Sequence, residues 1–412
     1  MIKKLSQDIV IYGLTNSIRS LVPFIMLPIL TAYLTVEEFG ILSLIEVSIL
    51  FLFPLVSLNV YASINVEYFH LKKVQLSSYI TNALSLSTIS FVLLLLTVIL
   101  FSEQIEAYVH LPISIIVLLP IFAVLRLFPQ VVLGLLQVEQ KSKSYFLFTL
   151  FQALFDLVLS YILIVMYKAG YVGRVEGIYI SAFFMTGYAF YYLYKHDFLS
   201  PITFKYTRRI LDFSLPLIPH ILGGVIIAMS DRYFIVYYAS NEMLAYYTVA
   251  YQLSAFMLLF GTSINQAWSP FLFRLLKESN KFQDTIKYTG VLMIVFLIFG
   301  ALIYITKDMA FMLFVDKKFY AAKEYFLWLL IGFIFQSLYF LVTNFIFFKK
   351  HTKILAKITF SGAILNLILN YFFIQRYDVI GVAYATALTW AVFFFVVLIV
   401  VLYLYKEERI AR

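Results

Sequence analysis

Long apolar runs separated by short polar breaks set the architecture of this chain. A helix needs about 20 apolar residues to cross roughly 30 Å of hydrocarbon. Marking such runs leaves the segments 9–34, 39–65, 78–101, 112–137, 144–167, 171–194, 209–238, 243–272, 285–306, 323–348, 354–375 and 379–405. The first, from Ile9 to Leu34, is too long for a signal-peptide core and has no small-residue cleavage pattern nearby, so it is expected to stay as a helix. The pattern predicts an all-α integral membrane protein of about 12 transmembrane helices.

The second half echoes the first. Sliding the sequence by 210 residues lays Lys141-Ser142-Lys143 on His351-Thr352-Lys353 without a gap. The same register pairs Arg126 with Gln336, Gly134 with Asn344, Asp156 with Asn366, Ser160 with Asn370 and Tyr161 with Tyr371. A register of 205 places Glu37-Glu38-Phe39-Gly40 on Glu242-Met243-Leu244-Ala245. These echoes predict two pseudo-symmetric six-helix lobes, 1–207 and 208–412, arranged as parallel repeats about an axis along the membrane normal.

Composition agrees with the pattern: 63% of the 412 residues are hydrophobic and 13% charged, with a mean hydropathy of +0.93. The chain has no cysteine, which excludes disulfides and thiolate metal sites. Its net charge of +9 is largely topological. With the N-terminus inside, 21 of the 31 Lys and Arg residues fall in inner loops and seven in outer ones, Arg174 among the seven. That asymmetry predicts a multi-pass protein with both termini cytoplasmic, and no nucleic-acid partner is needed to explain the charge.

Three arginines remain inside the spans: Arg19, Arg126 and Arg232. A charge near the bilayer centre costs roughly 2.5–3.5 kcal/mol on insertion scales, so such residues face a bundle interior or a watery cavity. The expectation is a polar, partly cationic pathway. Helical spacing puts Arg126 on one face with Gln130 and Gly134, and Arg19 with Asn16 and Pro23. Asp156 shares a face with Gln152 and Ser160, as Asn366 does with Asn370. The lumen is therefore expected to be lined by Asn16, Gln130, Gln152, Gln336, Asn366 and Asn370. A structural ion pair between Arg126 and Asp156 is the plainer alternative. Glu46 and the adjacent Asp231-Arg232 are expected either as gates or as a static clamp.

The stretch from Pro23 to Leu34 (PFIMLPILTAYL), followed by Glu37-Glu38-Phe39-Gly40, resembles the opening of bacterial polysaccharide flippases of the Wzx type. Ser214-Leu215-Pro216-Leu217-Ile218-Pro219, then Asp231-Arg232, then Tyr246-Tyr247-Thr248-Val249-Ala250-Tyr251 is similar to the start of that family's second half. Ala245 stands where the family usually has glycine. These flippases belong to the multidrug, oligosaccharidyl-lipid and polysaccharide (MOP) exporter superfamily, whose MATE-type fold places two six-helix lobes around a central cavity. The resemblance implies translocation of an undecaprenyl-pyrophosphate-linked oligosaccharide, for O-antigen or capsule assembly, from the cytoplasmic to the periplasmic leaflet of the bacterial inner membrane. It implies alternating access driven by a proton or sodium gradient, no cofactor, and membrane lipids as surroundings. A polysaccharide polymerase and a chain-length regulator stand as candidate partners.

Arginine's planar fork matches phosphate oxygens, so Arg19, Arg126 and Arg232 are the expected contacts to the pyrophosphate headgroup. Asp156 is the expected coupling group, with Glu46 and Asp231 as further coupling or gating residues. No enzyme is expected: the longest loops hold about fifteen residues, and no glycine-rich phosphate loop, HExxH or cysteine cluster occurs. Two alternatives remain open. A MATE-like cation and drug antiporter would favour lumenal carboxylates over arginines, and an integral-membrane polysaccharide polymerase would carry a large outer loop.

Overall fold

The computed structural model describes residues 2–277 and 282–410, apart from the side chains at 2–10, 12, 14, 16, 17, 19, 282–284, 352 and 406–410. Among the described residues every regular element is helical. The chain divides into two compact units, Met1–Val225 and Ile226–Arg412.

The first unit contains α1 (Ile2–Tyr33), α2 (Val36–Ser57), α3 (Val60–Glu67), α4 (Lys73–Leu100), α5 (Ser102–Val109), α6 (Ile113–Val138), α7 (Ser142–Tyr161), a π-helical turn (Ile162–Met166), α8 (Gly170–Lys195) and α9 (Thr207–Ser214). The unit boundary falls within α10 (Leu217–Met229). The second unit continues with α11 (Asp231–Tyr238), α12 (Asn241–Ser254), α13 (Phe256–Lys277), α14 (Phe282–Ile305), α15 (Lys307–Phe314), a 3-10 turn (Lys317–Ala322), α16 (Lys323–Phe348) and α17 (Thr352–Ile410).

Nine helical stretches among the described residues are long and apolar enough to cross a membrane, against the twelve expected. Three causes account for the difference, the first being that the expected segment 9–34 counts only as a shorter apolar helix, Ser20–Tyr33. The expected segments 354–375 and 379–405 run together into one stretch of 53 residues, about 80 Å of helix at 1.5 Å per residue. That is more than twice the hydrocarbon thickness, and the chain breaks at Asp378, where φ is 55° and ψ −153°. In addition α8 is long enough at 26 residues, but its tyrosines and the Arg174–Glu176 pair make it too polar to count.

The 210-residue register reappears in the backbone. Gln140 (φ 55°) and Lys350 (φ 60°) are left-handed corners 210 apart, as are Lys168 (φ 53°) and Asp378 (φ 55°). Each of the first pair is followed by the same closing bond, Lys141 N–H to Leu136 C=O at 2.9 Å and His351 N–H to Ile346 C=O at 3.2 Å. Such 6→1 bonds satisfy carbonyls that a helix end would otherwise leave unpaired. The 205 register marks helix starts instead: Thr35 caps α2 through Glu38 N–H, and Ser240 caps α12 through Met243 N–H.

Interiors here are held by close approach and polar stitching, since lipid tails are as apolar as leucine and give little drive for helix association. At Leu58 and Asn59 the backbone turns left-handed and ends α2. The carbonyls freed there are met by α4, whose Ser87 and Ser90 hydroxyls donate to Ser57 and Leu55 at 2.9 and 2.8 Å. Meanwhile Val92, Leu93, Leu96 and Leu100 on α4, and Ile294, Leu297 and Ile298 on α14, stand exposed. Such apolar faces belong against acyl chains.

Candidate functional site

Four helices of the first unit bring charge into its interior. On α6, Pro129 has no N–H to donate to Leu125 C=O, and the Thr186 hydroxyl of α8 donates there instead at 2.6 Å. Arg126 lies within one turn of this repaired break. It lines a cavity of about 630 Å³ together with Gln130 of α6, Thr149, Gln152 and Asp156 of α7, and Ser181 of α8. Val22 and Pro23 of α1 and Leu50 and Phe53 of α2 supply apolar wall. The faces read from helical spacing, Arg126 with Gln130 and Gln152 with Asp156, thus meet in one space. The side chains of Arg19 and Asn16 lie outside the described residues.

One turn beyond this lining sits an ion cluster. Arg174 Nη1 donates to Asp156 Oδ1 at 2.7 Å and to Ser160 Oγ at 2.6 Å, while the Ser160 hydroxyl donates to Asp156 at 3.3 Å. Arg174 Nη2 lies 4.0 Å from Glu46 Oε1 on α2. The charges of Arg174, Arg126 and Asp156 all act on Glu46. The four groups sum to zero charge, which makes their presence among apolar helices tolerable. A glycine sets the geometry: a Cβ on Gly177 would stand 2.6 Å from Ser160 Oγ and 2.9 Å from its Cα. Backbones of α7 and α8 touch there, and Arg174, one turn earlier on α8, is carried onto Asp156. The π turn begins two residues after Ser160.

Arg174 corrects the loop assignment. It was counted among outer-loop residues, but its side chain is only 8% exposed. It also takes the partner that the plainer alternative gave to Arg126. The legible signal was the Gly173-Arg174-Val175-Glu176-Gly177 run, in which small residues flank a charge near a span end.

The second unit carries amides in place of charges at the aligned positions 336 and 366. Asn366 and Asn370 are buried, Asn370 donating to Asn366 Oδ1 at 3.1 Å. Asn366 also accepts from the Ser230 hydroxyl and donates to Thr389 Oγ1, both at 3.3 Å. These amides stitch the start of α11, α17 and its continuation past Asp378 together. Gln336 is half-buried on α16. Arg232 is 2% exposed and bound to its neighbour, Nη1 to Asp231 Oδ1 at 2.5 Å. Its guanidinium lies 4.0 Å from the Tyr251 ring centre, and the Tyr247 hydroxyl donates to Asp231 Oδ2 at 2.5 Å. This is the geometry of a buried ion pair, as the clamp reading of Asp231-Arg232 expects.

A family profile described as "Polysaccharide biosynthesis protein" matches residues 5–276, and one described as MatE matches residues 216–372. The Lsg locus protein 1 of Haemophilus influenzae is 23% identical over 368 residues, 88% of this chain and 89% of the relative. Among solved structures, a multidrug resistance MATE family transporter of the MOP superfamily superposes with a TM-score of 0.75 at 15% identity, covering 94% of this chain and 96% of the other. The lipid II flippase MurJ superposes with a TM-score of 0.76 at 16% identity, covering 95% and 87%.

Proposed function

The chain belongs to the polysaccharide biosynthesis protein family and shares the fold of MATE and MurJ transporters, and from that premise we propose that it flips an undecaprenyl-pyrophosphate-linked oligosaccharide across the bacterial inner membrane. The O-antigen or capsule repeat unit would pass from the cytoplasmic to the periplasmic leaflet by alternating access. The observation that carries the reading is the polar cavity of the first unit, where Arg126 stands among amides and hydroxyls. A guanidinium in such a place binds phosphate oxygens through charge-assisted hydrogen bonds. Gln130, Gln152, Thr149 and Ser181 supply donors and acceptors suited to sugar hydroxyls.

Arg19 belongs to the proposal through its sequence position four residues before Pro23, which lines the cavity. Asp156 is the proposed coupling group to a proton or sodium gradient, because it lines the same cavity and its aligned Asn366 has no titratable proton. With Arg174 removed from the outer loops, the charge count becomes 21 inside against six outside, which favours cytoplasmic termini further. The lining carries one carboxylate against one arginine, which offers a cationic drug no excess negative charge.

The test is complementation of a flippase-null bacterium with the matching sugar repeat, scoring surface polysaccharide. Wild type restores it, and Arg126→Gln at equal membrane abundance does not. Failure of wild type in that host, with lowered accumulation of a cationic dye, would transfer the assignment to drug export.

A further inference from the structure

Arginine binds a two-oxygen anion best along the edge formed by Nε–H and Nη2–H, and the molecule contains a filled example. Arg209 donates from Nε to Glu67 Oε1 at 2.7 Å and from Nη2 to Glu67 Oε2 at 2.5 Å. The same edge of Arg174 is not filled. Among the described residues its Nε–H is buried without an acceptor, and its Nη2 has Glu46 at 4.0 Å, beyond hydrogen-bond distance. Nη1, on the other edge, is fully used by Asp156 and Ser160.

Three helices place this edge at one end of the cavity. Leu50, Ile178 and Asp156 line the cavity. Glu46 precedes Leu50 by four residues on α2, Arg174 precedes Ile178 by four on α8, and Ser160 follows Asp156 by four on α7. The cluster therefore caps the cavity one turn beyond its polar lining. Glu46 is the loose member: its side chain is 48% exposed, while that of Arg174 is 8% exposed.

Resting on the flippase reading, we infer that the Nε/Nη2 edge of Arg174 is a second anion subsite at the end of the Arg126 cavity, with Glu46 as its resident counter-anion, displaced when an anionic group of the cargo enters. Fixed by Asp156 and Ser160, the guanidinium needs no rearrangement to accept two oxygens. Glu46 can leave because about half of its side chain is already exposed. The group that replaces it is either a diphosphate or the carboxylate of an acidic sugar, which share the two-oxygen geometry.

The experiment measures binding of farnesyl diphosphate, and separately of glucuronate, to the full chain in lipid nanodiscs. Glu46→Gln removes the competitor and is expected to tighten the probe that uses this edge about fivefold to tenfold, roughly 1–1.4 kcal/mol. Adding Arg174→Lys, which keeps the charge and loses the fork, is expected to erase that gain. Which probe responds identifies the source of the anion. If Glu46→Gln leaves both affinities unchanged while Arg126→Gln weakens them, the subsite is overturned and the flippase reading stands. If Glu46→Gln tightens binding in an Arg174-dependent way but Arg126→Gln changes nothing, the assigned role of Arg126 fails alone. Absence of binding by any variant sinks both.

Discussion

Replacing Arg232 by glutamine isolates the clamp of the second unit. The substitution leaves the Asp231 carboxylate 4% exposed in its wild-type surroundings, with the Tyr247 hydroxyl as its remaining side-chain donor. Removing one member of a buried ion pair costs about 3–5 kcal/mol, because the other charge is left uncompensated. Loss of the stacking on Tyr251 at 4.0 Å adds up to about 2 kcal/mol when desolvated. Removing both charges, Asp231→Asn with Arg232→Gln, takes away the unpaired anion while an amide oxygen still accepts from Tyr247. The double variant is therefore expected to be more stable than Arg232→Gln alone, with a coupling energy of about 1–3 kcal/mol. Reversible denaturation of the purified protein in mixed SDS micelles, followed by helical circular dichroism, measures all four corners of the cycle. A clamp also predicts that surface polysaccharide falls in proportion to folded protein. Two results would refute it: an Arg232→Gln variant as stable as wild type, or one that folds normally yet abolishes transport, which would return Arg232 to cargo binding.

Three further outcomes follow from other contacts. Gly177→Ala pushes a methyl into Ser160 at the α7–α8 contact and is expected to cost about 1–3 kcal/mol; Gly187→Ala on the same helix meets nothing within 4 Å and should be neutral or stabilising by up to about 1 kcal/mol, both read by thermal melts. Glu67→Gln breaks the bidentate bond to Arg209, worth about 1.5–3 kcal/mol for a charged hydrogen bond. Limited trypsin digestion should then cut faster at Lys205–Arg209, a segment otherwise pinned by Asn82 Oδ1 accepting from Tyr206 N–H at 2.9 Å. Between the starts of α15 and α16, the Lys323 ammonium bonded to Asp308 at 2.6 Å holds that carboxyl below its ordinary value of 3.8. A depressed carboxyl stabilises the folded state above its unfolded pKa and loses that contribution as pH falls through the folded value. The small stability difference between wild type and Asp308→Asn should thus be constant near neutrality, shrink as pH falls below about 4 and be gone below the folded value; a difference that grows on acidification would contradict the pairing.

Apolar periodicity made the helices legible, and polar residues on shared faces made the cavity wall legible, because a helix has one fixed angular period. Arg126, Gln130, Gln152 and Asp156 needed nothing more. The partner of Asp156 was hidden for a geometric reason. Position along a hydropathy profile reports the depth of a Cα, whereas an arginine side chain reaches several ångströms along the helix axis. Arg174 lies near the start of α8 and delivers its charge onto Asp156 and Ser160, through a close α7–α8 contact at Gly177. The polar run Gln375-Arg376-Tyr377-Asp378 separated the expected segments 354–375 and 379–405, and the helical backbone breaks at its last residue, Asp378.

The repeat separates what folding requires from what function requires. Corners at Gln140 and Lys350, and at Lys168 and Asp378, keep their left-handed backbone although the residues differ, because a helix must end at the membrane face in either unit. Asp156 and Ser160 in one unit and Asn366 and Asn370 in the other occupy the same register, and both sets are hydrogen-bonded across helices. Packing is thus served equally well by neutral amides. An ion cluster of two arginines and two carboxylates adds desolvation cost without being needed to join the helices. Its placement beside a cavity, in one unit only, is what a charged cargo requires and what folding alone does not.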